Sequence, residues 1–173
     1  LAVQTDVMKS EDLDALVAKT LAELGRIDVL VNNAGGTPPR AALQTSERYF
    51  ESALRFNVTS AFLLTKLVVP KMIESAGGGA IVNISSRASD MPQTSFVAYS
   101  AGKAALNMIT RNLALEFAPK VRVNAMPRSL YFPKLEKFDT SLYMLGWGGA
   151  ITDAETTFTP VMRHPGGQGV GVF

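Results

Sequence analysis

Short, nearly continuous apolar runs at Ile27 to Val31, Ala80 to Ile84 and Val121 to Asn124 are separated by long stretches of helical periodicity. No other feature constrains the fold as much. A short apolar run without polar alternation is a strand buried on both faces. Strands of that kind, each followed by a helix, pair in parallel through helical crossovers. Leu13, Leu16, Val17, Leu21 and Leu24 recur at helical spacing behind Ser10, Glu11 and Asp12, and Gly25 stops them. A longer helical stretch runs from about Ser46 to Ser75, with Pro70 placed to kink it and Gly77 to Gly79 ending it. A third helix spans Tyr99 to Phe117, before Pro119. With Leu1 to Thr5 read as a first short strand, the order is β-α-β-α-β-α-β. That order predicts an α/β fold, a doubly wound parallel sheet whose ligands bind beyond the carboxyl ends of the strands.

Composition narrows the function. A chain of 173 residues, 47% hydrophobic and 18% charged, suffices for one domain with a buried core. Its formal charge of +2 is scattered, with no basic run to track a phosphate backbone, so nucleic acid is not expected. No apolar stretch is expected to reach the roughly 18 to 20 residues needed to cross a bilayer, and the N-terminus lacks the basic start and small-residue cleavage site of a signal peptide. No membrane partner is expected. The absence of cysteine removes disulfides and thiolate metal sites and fits a reducing compartment such as the cytoplasm. No metal site is anticipated, and His164 stands without a partner pattern.

The polar residues that could carry chemistry cluster after strands. Asp6, the turn Asn33 to Gly35, and Ser85 with Ser86 each follow an apolar run directly. Tyr99 and Lys103 lie four apart on a helix and so share a face. A phenol, with an ordinary pKa of about 10, is a poor base at neutral pH, and an adjacent ammonium favours the phenolate. Ser86, thirteen residues before Tyr99, could hold the oxygen of a carbonyl or alcohol that the tyrosine protonates or deprotonates. Singly, each has an ordinary explanation: a surface pair, a serine capping a turn, a left-handed Asn-Gly turn, and a tolerated polar Asn57 in mid-helix.

Together they resemble the short-chain dehydrogenase/reductase family. The likeness runs unbroken from about Leu1 to Ala125, through TDV at Thr5 to Val7, RIDVLVNNAGG at Arg26 to Gly36 and FNV at Phe56 to Val58. It continues with IVNISS at Ile81 to Ser86, YSAGKAAL at Tyr99 to Leu106 and VRVNA at Val121 to Ala125. The resemblance implies a Rossmann-like fold and an oxidoreductase moving a hydride between NAD or NADP and a ketone or secondary alcohol. It implies that Tyr99 is the acid/base, that Lys103 favours the phenolate and holds the nicotinamide ribose, and that Ser86 orients the substrate oxygen. Asn57 would hold the water of a proton relay. Asp6 and Val7 would lie along the adenine, and Asn33, Ala34 and Gly35 would line the cofactor. The turn and the Tyr99 helix most resemble those of bacterial enzymes acting on secondary alcohols and ketones, steroid dehydrogenases included. A possible homo-oligomer would use the long helix and the Tyr99 helix.

The family's pattern opens with a strand and a Gly-rich phosphate turn, and its second strand ends on the residue that selects NAD or NADP. Neither precedes Leu1, so the chain reads as truncated: a partial sheet lacking its first two strands, with impaired activity expected. After VRVNA the text changes. Residues 126–173, an irregular tail, resemble a fragment of the peptide-binding (solute-binding) proteins of ABC transporters, which suggests a non-catalytic chimera joined near Asn124 and Ala125. The alternative is a divergent substrate lid. The domains expected are therefore 1–125 and 126–173.

Overall fold

The computed structural model describes residues 1–127, and the expectations for the tail lie outside the described residues. In chain order the elements are α1 (Ser10–Leu24), β1 (Val29–Asn32), a 3-10 turn (Ala42–Gln44), α2 (Glu47–Leu54) and a π-helical turn (Arg55–Thr59). They continue with α3 (Ser60–Ala76), β2 (Gly79–Ser85), a second 3-10 turn (Arg87–Ser89), α4 (Val97–Phe117) and β3 (Val121–Pro127). The strands form a parallel sheet in the order β1-β2-β3. This is the Rossmann-like α/β arrangement expected, in part.

Register and core agree. Leu30 pairs with Ile81 and Ile81 with Val123, so the three side chains stand in one row. That row enters a core shared with Leu13 and Val17 of α1, Leu64 and Met72 of α3, and Leu113 of α4. Burying each such side chain stabilises the fold by about 1.5–3 kcal/mol. Local chemistry sets the helix ends. Gly25 and Gly77 close α1 and α3 in the left-handed region (φ 77° and 75°), where a side chain would be strained. The Ser46 hydroxyl accepts the Tyr49 N–H at 3.3 Å and opens α2.

Four expectations need correction. Leu1 to Thr5 is not a strand: among the described residues no strand lies beside it, and without a ladder an apolar run stays irregular. Among the described residues the order therefore has three strands. The long helix is one helical run, but its departure from α-helical bonding falls at Arg55–Thr59. Pro70 lies inside α3, which continues through it to Ala76. Finally, Glu47–Ala76 is by length and composition long and apolar enough to cross a bilayer, although the sequence has no uninterrupted apolar run of that size. The core helix of a globular fold passes the same test, and here Leu64, Val68, Val69 and Met72 are buried in the core.

Candidate active site

The carboxyl ends of β1 and β2 carry the site. Past β1 the chain turns through Asn33, Ala34, Gly35 and Gly36, and the π-helical turn presents Asn57 to it from the side. The Asn57 amide is fully buried. Its Oδ1 accepts the Gly36 N–H at 3.0 Å, and its Nδ2 donates to Gly36 O (3.1 Å), Thr37 Oγ1 (3.0 Å) and Ala53 O (2.9 Å). The π-helical turn offsets one residue from the α-helical path, as such turns do at many functional sites. The ordinary explanation of Asn57, a polar side chain bonding a neighbour, is therefore met, and the neighbour is the candidate cofactor turn.

Gly35 lies between two functional side chains. A Cβ built there would stand 2.9 Å from both Asn57 Oδ1 and Lys103 Nζ. Gly102, one residue before Lys103, has the same character, since a Cβ on it would stand 3.1 Å from Asn57 Cβ. Two residues without side chains thus let α4, the π-helical turn and the β1 turn close on one another. Lys103 is only 2% exposed. Its Nζ donates to Ile84 O at 2.8 Å, tying α4 to β2, and lies 5.9 Å from the centroid of the Tyr99 ring. Tyr99 itself is half-buried, with its ring edge-on to Phe96 at 6.1 Å.

The structure thus brings Gly35, Asn57, Lys103 and Tyr99 together. Ser86 follows β2 at the head of the Arg87–Ser89 turn, which packs on α4, and its hydroxyl accepts the Ala88 N–H at 3.2 Å, so it caps that turn. Val7 and Ala34 both line a narrow cleft, with Asn32, Ser60 and Ala61 as its other walls. Asp6 is exposed, and its Oδ1 accepts the Met8 N–H at 2.9 Å. Asn33 is buried with neither side-chain polar atom hydrogen-bonded among the described residues. The same holds for the Ser85 hydroxyl.

Sequence reasoning missed several residues. Arg55, in the π-helical turn, donates to Met8 O (2.9 Å) and Ser10 Oγ (3.3 Å), fastening the segment after Asp6 and Val7. A buried chain of amides and hydroxyls crosses beneath the site. Asn32 Nδ2 donates to Asn83 Oδ1 (2.8 Å) and Thr65 Oγ1 (3.3 Å), and Asn83 Nδ2 donates to Thr110 Oγ1 (2.8 Å). A signal for it was present, the pair Val-Asn within both strands.

Known proteins match this arrangement. The model of the short chain dehydrogenase family matches residues 1–130. An uncharacterised oxidoreductase of Mycobacterium tuberculosis is 41% identical over 135 residues, covering 78% of this chain and 51% of the relative. An NAD-dependent glycerol dehydrogenase of Listeria innocua is 32% identical over 164 residues, 94% of this chain and 61% of that protein. The 7alpha-hydroxysteroid dehydrogenase of Escherichia coli K12 is 36% identical over 126 residues, 72% and 49% of the two chains. Among solved structures, a 7alpha-hydroxysteroid dehydrogenase complexed with NADH and 7-oxo glycochenodeoxycholic acid superposes with a TM-score of 0.70 at 32% identity, over 80% of this chain and 57% of that one. The chain spans about half the length of the curated relatives it matches. By sequence, fold and the placement of its strand-end residues, the chain belongs to the short-chain dehydrogenase family.

Proposed function

We propose that this chain carries the proton-transfer half of a nicotinamide-dependent oxidoreductase acting on a ketone or secondary alcohol. The observation that carries the proposal is the convergence of Gly35, Asn57, Lys103 and Tyr99 at the carboxyl ends of β1 and β2. The residues present suit NAD or NADP. Gly35, lacking a Cβ, lets Lys103 Nζ and Asn57 come up against the turn, Asn33 beside it is buried with its amide unbonded among the described residues, and Val7 and Ala34 line one cleft. Bound there, a nicotinamide would supply or accept the hydride. Tyr99 would give or take the proton at the substrate oxygen, and Lys103, beside the ring, would favour the phenolate and hold the ribose. Ser86 would hold the substrate oxygen by a hydrogen bond. Asn57 would serve the proton relay while bracing the Gly36 turn. Asp6 and Val7 would flank the adenine, and Asn33 and Ala34 the cofactor.

Residues 128–173 fit best as a divergent continuation of the same protein. The alignment with the Listeria enzyme is 164 residues long in a chain of 173 and so extends past the point where a chimera would change partners. Peptide affinity in the tail would favour the solute-binding alternative instead. A cytoplasmic setting and self-association belong to the same proposal, the first resting on the absence of cysteine.

The deciding experiment titrates the purified chain with NADH and with NADPH, following nicotinamide fluorescence, and then assays secondary alcohols. Saturable binding that Lys103→Ala weakens, with turnover that Tyr99→Phe abolishes, is the expected result. A folded sample that binds neither nucleotide, or turnover that survives Tyr99→Phe, overturns the proposal.

A further inference from the structure

Ser95 lies outside every role assigned above, yet it holds the most unusual backbone in the described chain. Its φ is +67°, the only positive value on a described residue other than glycine. L residues with a Cβ seldom occupy this left-handed region, and they persist there when surrounding contacts hold them. Here the contact is a backbone hydrogen bond, in which Arg40 N–H donates to Ser95 O at 2.7 Å. Ser95 stands two residues before α4 and four before Tyr99. The next residue, Phe96, is the N-cap of α4 without a side-chain cap bond; its carbonyl accepts the Ser100 N–H at 2.8 Å, and its ring meets the Tyr99 ring edge-on. The left-handed step at Ser95 therefore sets the direction in which α4 starts and where its first aromatic pair points.

The donor is itself held. The Arg40 guanidinium lies 4.1 Å above the Tyr49 ring, and the Tyr49 hydroxyl donates to Pro38 O at 2.7 Å. Tyr49 belongs to the first turn of α2, which packs on α4. At the near end of the same loop, Thr37 and Gly36 are bound by Asn57. One short segment, residues 36–40, is thus anchored at one end to the residue that braces the candidate cofactor turn and at the other to the turn that launches Tyr99.

We propose that Pro38, Arg40, Tyr49 and Ser95 form a bracket that fixes the pose of Tyr99 relative to Lys103 and the Gly35 turn, with Ser95 and Tyr49 as positioning residues. The bracket rests on the reading of Tyr99 as the proton-transfer group. A fixed pose matters because displacing a reacting group by about 1 Å costs up to ~100-fold in rate.

The test uses the full chain and two readouts, one of them independent of turnover. Nuclear Overhauser contacts between the Phe96 and Tyr99 rings report the pose, and kcat and nucleotide KM report its consequence. Ser95→Gly and Ser95→Asn, which accept a left-handed backbone, keep the ring contact and turnover. Ser95→Val, β-branched and strained at positive φ, loses the contact and lowers kcat by about tenfold or more, with nucleotide KM changed less than about threefold. Tyr49→Phe removes a single hydroxyl and gives the same pattern, about twofold to threefold in kcat. Ser95→Val with the ring contact intact, or with unchanged kcat, overturns the bracket. Where Ser95→Val does not fold, Tyr49→Phe decides, and an unaltered contact and kcat in that variant overturn it. A parent chain without turnover refutes the catalytic reading alone, and the ring contacts then decide the bracket by themselves.

Discussion

Gly35 shows how little space separates the residues that matter. Its backbone needs no left-handed freedom; what it supplies is the missing Cβ, since that atom would sit 2.9 Å from both Asn57 Oδ1 and Lys103 Nζ. Lys103 Nζ ends a long side chain, whereas Asn57 Oδ1 belongs to a buried amide held by four hydrogen bonds, so Gly35→Ala displaces the ammonium before the amide or the backbone. The expected outcome is a modest loss of stability, under about 2 kcal/mol, with a disproportionate loss of nucleotide binding, since the ammonium moves first. Thermal melts beside fluorescence titrations check this, and equal loss in both would contradict it. At this scale, of the residues that motifs named, Gly35, Asn57, Tyr99 and Lys103 lie close in space, while Asp6 is exposed and bonds its own turn. Thr37 and Arg55 were not legible. Their roles depend on where a turn and a helix meet in space, and nothing in their local pattern shows it.

Strands and helices were readable because burial imposes a period, and the exceptions have physical causes. The apolar run at Leu1 to Thr5 has no strand beside it among the described residues, and a π-helical turn leaves no mark on a hydrophobic pattern. The three strands also share a feature whose meaning only register reveals. Each carries Val-Asn, at Val31 and Asn32, Val82 and Asn83, and Val123 and Asn124. Asn32 pairs with Asn83, but Asn83 pairs with Ala125 and Val82 with Asn124. A shift of one residue puts Asn124 on the opposite face, exposed, while the other two enter the buried chain between Thr65 and Thr110. Asn83→Leu removes one partner from the Asn32 amide, which keeps Thr65 Oγ1, and one from the Thr110 hydroxyl, which still donates to Leu106 O, and should lower stability by about 1–3 kcal/mol in urea melts. Asn124→Leu should stay within about 0.5 kcal/mol. Similar losses in the two variants would contradict the register.

Across the whole molecule, α4 has a buried side and an apolar side that nothing described covers. Val97, Ala104, Met108 and Leu115 are exposed, and at 100° per residue they fall within about 20° of one line along the helix. Phe62 of α3 is exposed as well. A second copy is the partner that the proposed self-association supplies, so Leu115→Glu should shift sedimentation toward the monomer without lowering the melting temperature of that monomer. An unchanged sedimentation profile would remove α4 from the interface. The joined run of α2, the π-helical turn and α3 also separates two kinds of constraint. Its α-helical stretches serve the core, whereas the surplus residue of the turn serves the loop that Asn57 grips. Losing one codon within residues 55–59 would let the helix relax to a regular path with its flanking core contacts kept, so a descendant could release the Gly36 turn in one step and still fold.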